Sequence, residues 1–566
     1  MLKGIAASSG IAIAKVFKLE HPTLDIVEEK ANADEEIQTL EKAVEKTKSD
    51  IQTIQKKAIG KLSEEELAIF DAHLMVLDDP EFVGQIKETI KEQNINAEYA
   101  TKLISDNFVG MFEAMEDDYF KERAADIKDV TYRLSAHIMD VTIADLSMID
   151  EEVIIVAHDL TPSDTAQLNR TYTLGFATEI GGRTSHSAIM ARSLEIPAIV
   201  GIANVMDKLS NDDTIVLDAI NGVVIVNPSD EEVKEYKKQA KEFAEYKERL
   251  KTLKDEKSVT LDNHHVEIVG NIGTPNDAQS VLDNGGEGVG LYRTEFLYMD
   301  SNDFPTEEQQ FNAYKEVLEK MGDKPVVVRT LDIGGDKELS YLNLPKELNP
   351  FLGYRAIRLC LDRPDIFNTQ LRALLRASAF GNLCIMFPMI ATIDEFRQAK
   401  AMVLENEAKL KEEGVEVGKY QLGIMVEIPS TAVMADQFAK EVDFLSIGTN
   451  DLIQYSMAAD RMSEKVSYLY QPYNPSLLRL IKMTIDGAHK EGKWVGMCGE
   501  MAGEQLAVPV LLGLGLDEFS MSASSILAAR KMVRSLKHED MKKLAEQAIK
   551  CSTESEVIEL IEKAIK

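Results

Sequence analysis

QLGIMVEIP at residues 421–429 and FLSIGTND at residues 444–451 are short apolar runs that end in carboxylate or amide side chains and are separated by a helical stretch. A run of this kind fits a strand buried on both faces, with its polar residues gathered at the C-terminal end. Outward from this pair the texture recurs six times. The further runs are VEIVGNI (266–272), GVGLYRTEF (288–296), PVVVRTLDIG (325–334), LCIMFPMI (383–390), KWVGMCGEM (493–501) and LDEFSMS (516–522). Eight strand-like runs alternating with helical ones over the last 300 or so residues predict a C-terminal TIM (β/α)8 barrel. A doubly wound sheet is the structural rival, but it rarely needs eight strands of such regular spacing.

Polar residues at the C-terminal ends of barrel strands converge on one mouth. On this reading Arg293 ends the second strand, Arg329 the third and Glu427 the fifth. Asn450 and Asp451 end the sixth, Cys498 the seventh, and Arg461 lies in the segment after the sixth. Guanidinium forks grip phosphate or carboxylate oxygens in pairs. Glu427 and Asp451 offer the hard oxygen ligands that Mg²⁺ takes, leaving other positions to water and substrate phosphate. A phosphorylated carboxylic acid satisfies the whole set. The plainer reading, mutual salt bridges at the mouth, fits any single residue better than it fits all of them, because buried charge is costly unless a ligand or metal uses it. Cys498 is open to two readings, a small buried residue or a thiol in the chemistry.

The first half of the chain has a different texture. VIIVAHDL, TLGFATEI, PAIVGI and DTIVLDAINGVVIVNP, between residues 153 and 228, are β-rich and broken by glycine and proline, which predicts a small α/β unit. GIAASSGIAIAKVFKL at residues 4–19 shares that texture, so residues 1–22 and 144–228 are expected to form one domain, with residues 23–143 inserted as a helical bundle. Within the insertion Ile37, Leu40, Val44, Ile51 and Ile54 recur at spacings of three, four and seven, one face of a long helix. Acidic clusters at Glu64, Glu65 and Glu66 and at Asp78, Asp79 and Glu81 read either as solvated faces or as a surface for a basic partner. Residues 229–257 are heavily charged but keep Val233, Tyr236, Ala240, Phe243 and Leu250 at helical spacing, as a linker helix would.

GGRTSHSAIMAR, residues 181–192, places His186 at a helix start after two glycines, with Thr184 or Ser185 as the cap. Free N–H groups there favour an anion and disfavour an imidazolium. His186 should therefore be neutral and nucleophilic, and Arg183 adds a cation for the oxygens of a phosphoryl group placed on it. Taken alone, His186 fits a capping or surface role as well. A phosphate-donor mouth in one domain and such a histidine in another changes the balance toward a relay. The other eight histidines lack this setting, and His264 and His265 have no carboxylate or histidine spacing that makes a zinc site.

Composition bounds the remainder. Ninety-six acidic against 63 basic residues give a net charge of −33 over 566 residues, which argues against nucleic acid or anionic membrane and for a basic protein partner. Four cysteines with no CxxC spacing fit a reducing cytoplasm. The N-terminal apolar patch alternates, unlike a signal peptide, and no later run reaches the roughly 18 apolar residues of a membrane span, so neither export nor membrane insertion is expected.

GGRTSHSAIMARSLEIPAIVG, GVGLYRTEFLYMD, RTLDIGGDK, NPFLGYRAIR, MVEIPS, SIGTNDLIQY and GMCGEMAG occur in that order, and the ordered set closely resembles the enzyme I family of the bacterial phosphotransferase system. The resemblance runs over essentially the whole chain. It implies that His186 is phosphorylated by phosphoenolpyruvate and passes the phosphoryl group to a histidine of the phosphocarrier protein HPr. By the same match, Arg293, Arg329, Asn450, Asp451 and Arg461 hold phosphoenolpyruvate, Glu427 and Asp451 hold Mg²⁺, and Cys498 protonates the enolate. It further implies a swivelling phosphohistidine domain, HPr docking on the helical bundle with the acidic clusters near Glu64 and Asp79 and YFKERAADIKDV forming or flanking the docking surface, and homodimerisation through the barrel at residues 258–566. A pyruvate phosphate dikinase shares the histidine and barrel segments but needs an ATP-binding domain, and the 185 residues before His186 contain no glycine-rich phosphate loop. A sensor without turnover would not need Glu427, Asp451 and Cys498. A nitrogen-regulatory paralogue would carry an additional N-terminal sensory domain, whereas this chain is expected to begin with its first strand.

Overall fold

A computed structural model describes the chain except residues 21, 59–63, 114–117, 142, 144–145, 147–148, 162–163, 166, 170, 183–185, 194–195, 212, 300, 302, 336–338, 340, 343, 346, 462 and 566. The chain divides into two compact units, Met1–Tyr246 and Lys247–Lys566.

In the first unit β1 (Leu2–Lys3), β2 (Ile5–Ser8), β3 (Ile11–Leu19), β4 (Val153–Ala157), β5 (Thr173–Thr178), β6 (Ala198–Val200), β7 (Thr214–Asp218) and β8 (Val223–Val226) form one sheet in the order β1-β8-β7-β3-β4-β5-β6-β2. All five residues of β4, VIIVA, are buried. Alternate side chains feed two separate cores: Val153, Ile155 and Ala157 on one face, Ile154 and Val156 on the other. A continuous apolar run is what a central strand covered on both faces requires. β3 runs parallel to β4, with Lys15 opposite Val153 and Leu19 opposite Ala157, and antiparallel to β7. The N-terminal segment therefore shares a sheet with strands more than a hundred residues later.

Between β3 and β4 the chain forms α1 (Ala33–Ala58), α2 (Glu64–Asp78), α3 (Pro80–Gln93), α4 (Ala97–Glu113) and α5 (Asp118–Ile138). Leu40, Val44, Ile51 and Ile54 of α1 are buried against residues such as Phe82, Ile86, Ile90, Val130 and Leu134, and Ile37 is half-buried beside them. Asp79 caps α3: its carboxylate accepts from the Glu81 N–H at 2.8 Å, ahead of Pro80 in the first turn. The neighbouring Asp78 is paired with Lys48 at 2.6 Å. The side chains of Glu64, Glu65 and Glu66 lie outside the described residues.

The helix Asp230–Lys251 begins with a capping box, in which the Glu232 N–H donates to Ser229 Oγ and the Ser229 N–H donates to the Glu232 carboxylate. Val233, Tyr236, Ala240 and Phe243 are half-buried and Leu250 is buried, and the boundary between the two units falls within this helix.

The second unit is a closed barrel of eight parallel strands: β9 (Glu267–Ile272), β10 (Val289–Arg293), β11 (Pro325–Arg329), β12 (Asn382–Phe387), β13 (Tyr420–Val426), β14 (Phe444–Ile447), β15 (Trp494–Met497) and β16 (Glu518–Met521). Each of the eight runs read from the sequence forms one strand. Period two decides what each residue faces. Val326 and Val328 belong to the large core shared with the surrounding helices, while Val327 belongs to the barrel interior with Leu291, Cys384, Met386, Met425, Phe444 and Cys498. Trp494 stacks on Phe444 in that interior at 4.6 Å. Glu518 is also buried in the barrel, and burial first, then Glu267 and Asp517, push its carboxyl up to about 8. Among the described residues no helix is long and apolar enough to cross a membrane.

Candidate active site at the barrel mouth

The residues just past the C-terminal strand ends enclose a cavity of about 470 Å³ lined by Arg293, Arg329, Glu427, Asn450, Asp451, Arg461 and Cys498. All seven barrel residues singled out in the sequence are thus together. Arg293 and Arg329 are the last residues of β10 and β11. Glu427 and Cys498 follow β13 and β15 directly, and Asn450 and Asp451 lie in the first turn of the helix Thr449–Met457.

Charge in the cavity is paired through shared partners. The Arg329 guanidinium donates to Glu295 and lies 3.0 Å from Asp332, whose other oxygen is 2.9 Å from Arg355. Arg355 also reaches Asp451 at 3.5 Å, and Arg461 faces the other Asp451 oxygen at 3.8 Å. The guanidinium groups of Arg355 and Arg461 both stand 5.8 Å from the Phe351 ring. Burial alone would lower both Arg329 and Arg355. Glu295 and Asp332 outweigh it for the first, and Asp332 and Asp451 for the second, so both are held above the ordinary arginine range and stay charged.

Glu427 is buried and accepts the Met389 N–H at 2.6 Å. Burial first, then Asp451 and Asp332, push its carboxyl up to about 8 against the pull of Arg355 and Arg329. Asp451 Oδ1 is buried and meets no hydrogen-bond donor among the described residues. Two carboxylates that repel each other, one with an oxygen left over, fit a hard divalent cation held by two protein ligands with water or substrate at the other positions. Among the described residues no group of three or more His, Cys, Asp or Glu could hold a metal.

Cys498 is buried, with its N–H donating to the Ile447 carbonyl at 3.1 Å and its thiol 3.9 Å from the same oxygen. Burial pushes the thiol up to about 11, and the neighbouring Ser446 side chain and Arg329 only partly oppose it. At neutral pH this group is a protonated acid and not a thiolate nucleophile.

Two comparisons with known proteins bear on this site. The family described as PEP-utilising enzyme, PEP-binding domain matches residues 247–538; the N-terminal family of the same enzymes matches residues 3–123 and their mobile domain matches residues 149–222. Proteins named phosphoenolpyruvate-protein phosphotransferase are similar end to end. That of Priestia megaterium is 61% identical over 99% of this chain and 98% of its own length. Those of Staphylococcus carnosus and Listeria innocua are 59% and 60% identical, each over at least 99% of both chains. The chain belongs to the phosphoenolpyruvate-protein phosphotransferase family.

Within this phosphotransferase frame, the PEP-binding match covers every residue lining the cavity. Four charged lining residues, Glu295, Asp332, Arg355 and Glu500, were not among those picked from the sequence. Glu295 and Asp332 come two and three residues after the strand-end arginines, inside runs already read as strands; extending the strand-end rule by one turn finds them. Arg355 lies in the long connection after β11, and only the motif NPFLGYRAIR marks it.

His186 belongs to the other unit, within the mobile-domain match. It is the first residue of the helix His186–Ser193, whose Ala188 and Ala191 pack on the sheet core. Gly181, with φ 114°, supplies the turn out of β5, a conformation costly for any residue with a β-carbon. Arg183 and the candidate caps Thr184 and Ser185 lie outside the described residues.

Proposed function

We propose that the protein moves the phosphoryl group of phosphoenolpyruvate onto His186 and then onto a histidine of HPr, releasing pyruvate, as the first step of phosphotransferase-system sugar uptake. The observation that carries this reading is one cavity combining guanidinium groups, paired carboxylates and a protonated thiol in a chain of this family. Arg293, Arg329, Asn450, Asp451 and Arg461 hold the substrate, the guanidinium groups meeting its phosphate and carboxylate oxygens. Glu427 and Asp451 hold Mg²⁺. When bound, Mg²⁺ neutralises charge on the phosphoryl oxygens and on the enolate.

A neutral imidazole nitrogen of His186 attacks phosphorus. The bond from phosphorus to the enol oxygen breaks, and its electron pair remains on that oxygen, where Arg329 and its neighbours face it. Cys498 gives its proton to the terminal carbon of the enolate, which forms pyruvate and leaves a thiolate that regains a proton from water. The high thiol pKa supports this role, because the donor is fully loaded at neutral pH.

The domain assignment follows the same reading: residues 1–22 and 144–228 carry the histidine, residues 23–143 dock HPr, residues 229–257 link, and residues 258–566 bind phosphoenolpyruvate and form the homodimer. The net charge of −33 supports a basic protein partner and no nucleic acid, four cysteines without CxxC spacing support a cytoplasmic life, and the lack of a run of roughly 18 apolar residues supports no membrane insertion.

Incubation with phosphoenolpyruvate and Mg²⁺ should yield pyruvate and an acid-labile phosphohistidine, with ATP giving no label. His186→Ala should remain unlabelled; labelling equal to the parent would refute the relay.

A further inference from the structure

Behind the strand ends that carry the substrate arginines lies a buried polar cluster that the reaction as described does not use. Gln370, on the helix Pro364–Ala377, is fully buried. Its Oε1 accepts from the Leu331 N–H at 2.9 Å, and its Nε2 donates to Thr294 Oγ1 and to the Tyr314 hydroxyl, each at 3.1 Å. A backbone N–H can only donate, so the oxygen must face Leu331, and the orientation of the amide is fixed. Thr294 Oγ1 in turn donates to the Arg329 carbonyl at 2.8 Å, and the Tyr314 hydroxyl donates to Gln310 at 3.0 Å. Every hydrogen-bonding hydrogen of the Gln370 amide and of both hydroxyl groups is used.

The placement is specific. Thr294 stands between Arg293 and Glu295, and Leu331 stands next to Asp332 and two residues from Arg329. One amide therefore joins the ends of β10 and β11 at the points from which four cavity-lining side chains project. The buried Tyr314 hydroxyl closes the cluster on its outer side. A cluster built only for stability could satisfy these groups anywhere along the strands; here the bonds fall on Thr294, next to Arg293, and on Leu331, two residues from Arg329.

We propose that Gln370 and Thr294 are positioning residues for phosphoryl transfer, holding the β10 and β11 ends at the separation that lets Arg293 and Arg329 grip one substrate together. The proposal rests on the reading of the cavity as the phosphoenolpyruvate site. Buried networks of this kind act as units, and displacement of a binding group by an ångström is felt strongly in catalysis.

Thr294→Val removes the hydroxyl at nearly constant volume, Thr294→Ser keeps it, and Gln370→Met removes the amide. In the full-length protein, with Mg²⁺, the KM for phosphoenolpyruvate in pyruvate release should rise about tenfold in Thr294→Val and in Gln370→Met and stay at the parental value in Thr294→Ser. Phosphoryl transfer from the already phosphorylated chain to HPr should be unchanged in all three, because it does not use the barrel mouth. A parental KM in Thr294→Val, with losses confined to melting temperature or to the fraction of active protein, overturns the proposal, and Thr294→Val decides alone if Gln370→Met does not fold. Absence of phosphoenolpyruvate-dependent pyruvate release in the parent would instead overturn the functional reading on which the proposal stands.

Discussion

Cys498 and Glu427 owe their properties to burial more than to any partner. A thiol held up to about 11 stays protonated across the physiological range, so its ionisation should impose no alkaline limb on pyruvate formation below about pH 10. Cys498→Ala should lower the rate of pyruvate formation by about 100-fold or more while leaving phosphoenolpyruvate affinity within about threefold. Rapid-quench assays beside equilibrium binding would separate the two, and equal losses would end the proton-donor assignment. Glu427, with its carboxyl pushed up to about 8, still carries a proton at pH 7. Binding of Mg²⁺ must displace that proton, so cation affinity should rise with pH and level off above about pH 8. Calorimetry at pH 7 in buffers of different ionisation enthalpy should detect the released proton, and Glu427→Gln should abolish the release. At this scale the sequence was informative where a side chain ends a strand, because strand ends of a barrel have one place to go. The strand-end rule as applied stopped one turn short of Glu295 and Asp332, whose importance lies in their pairing with Arg329.

Strands and helices were legible to different depths. The eight barrel strands could be read because each is a continuous apolar run with a polar end, and the N-terminal strands because β-branched residues cluster between glycines. Pairing order was not legible: nothing local in IAIAKVFKL says that it lies between β4 and β7. The acidic stretch around Asp79 shows how one residue type serves two ends. Read as surface charge, it is also the cap of α3. Asp79→Ala should therefore cost about 1 kcal/mol of stability, whereas Asp79→Asn keeps the capping oxygen and should cost little. Asp79→Asn then tests the charge by itself. It should weaken HPr binding severalfold at low salt and progressively less as salt screens the surface, as followed by titration calorimetry.

Across the whole molecule, stability should carry the signature of the carboxyl group enclosed in the barrel. Glu518, pushed up to about 8, keeps its proton in the folded state, whereas an exposed glutamate loses its own near pH 4.3. Between those values the folded chain binds more protons than the unfolded one, so this group makes stability fall as pH rises and stop falling above about pH 8. Glu518→Gln, which has nothing to ionise, should raise the melting temperature of the barrel unit by about 1–2 °C at pH 8 for each kcal/mol recovered, and leave it near the parent at pH 5, by calorimetry of the full chain. The parallel pairing of β3 with β4 has a consequence of another kind. Parallel neighbours cannot be closed by a tight turn; the chain must travel back along the sheet, which takes a dozen residues or more. Helices α1 to α5 fill a connection that this topology demands in any case, so the bundle is a detachable module occupying an obligatory return path. A chain in which a short helical crossover replaced it should still form the sheet.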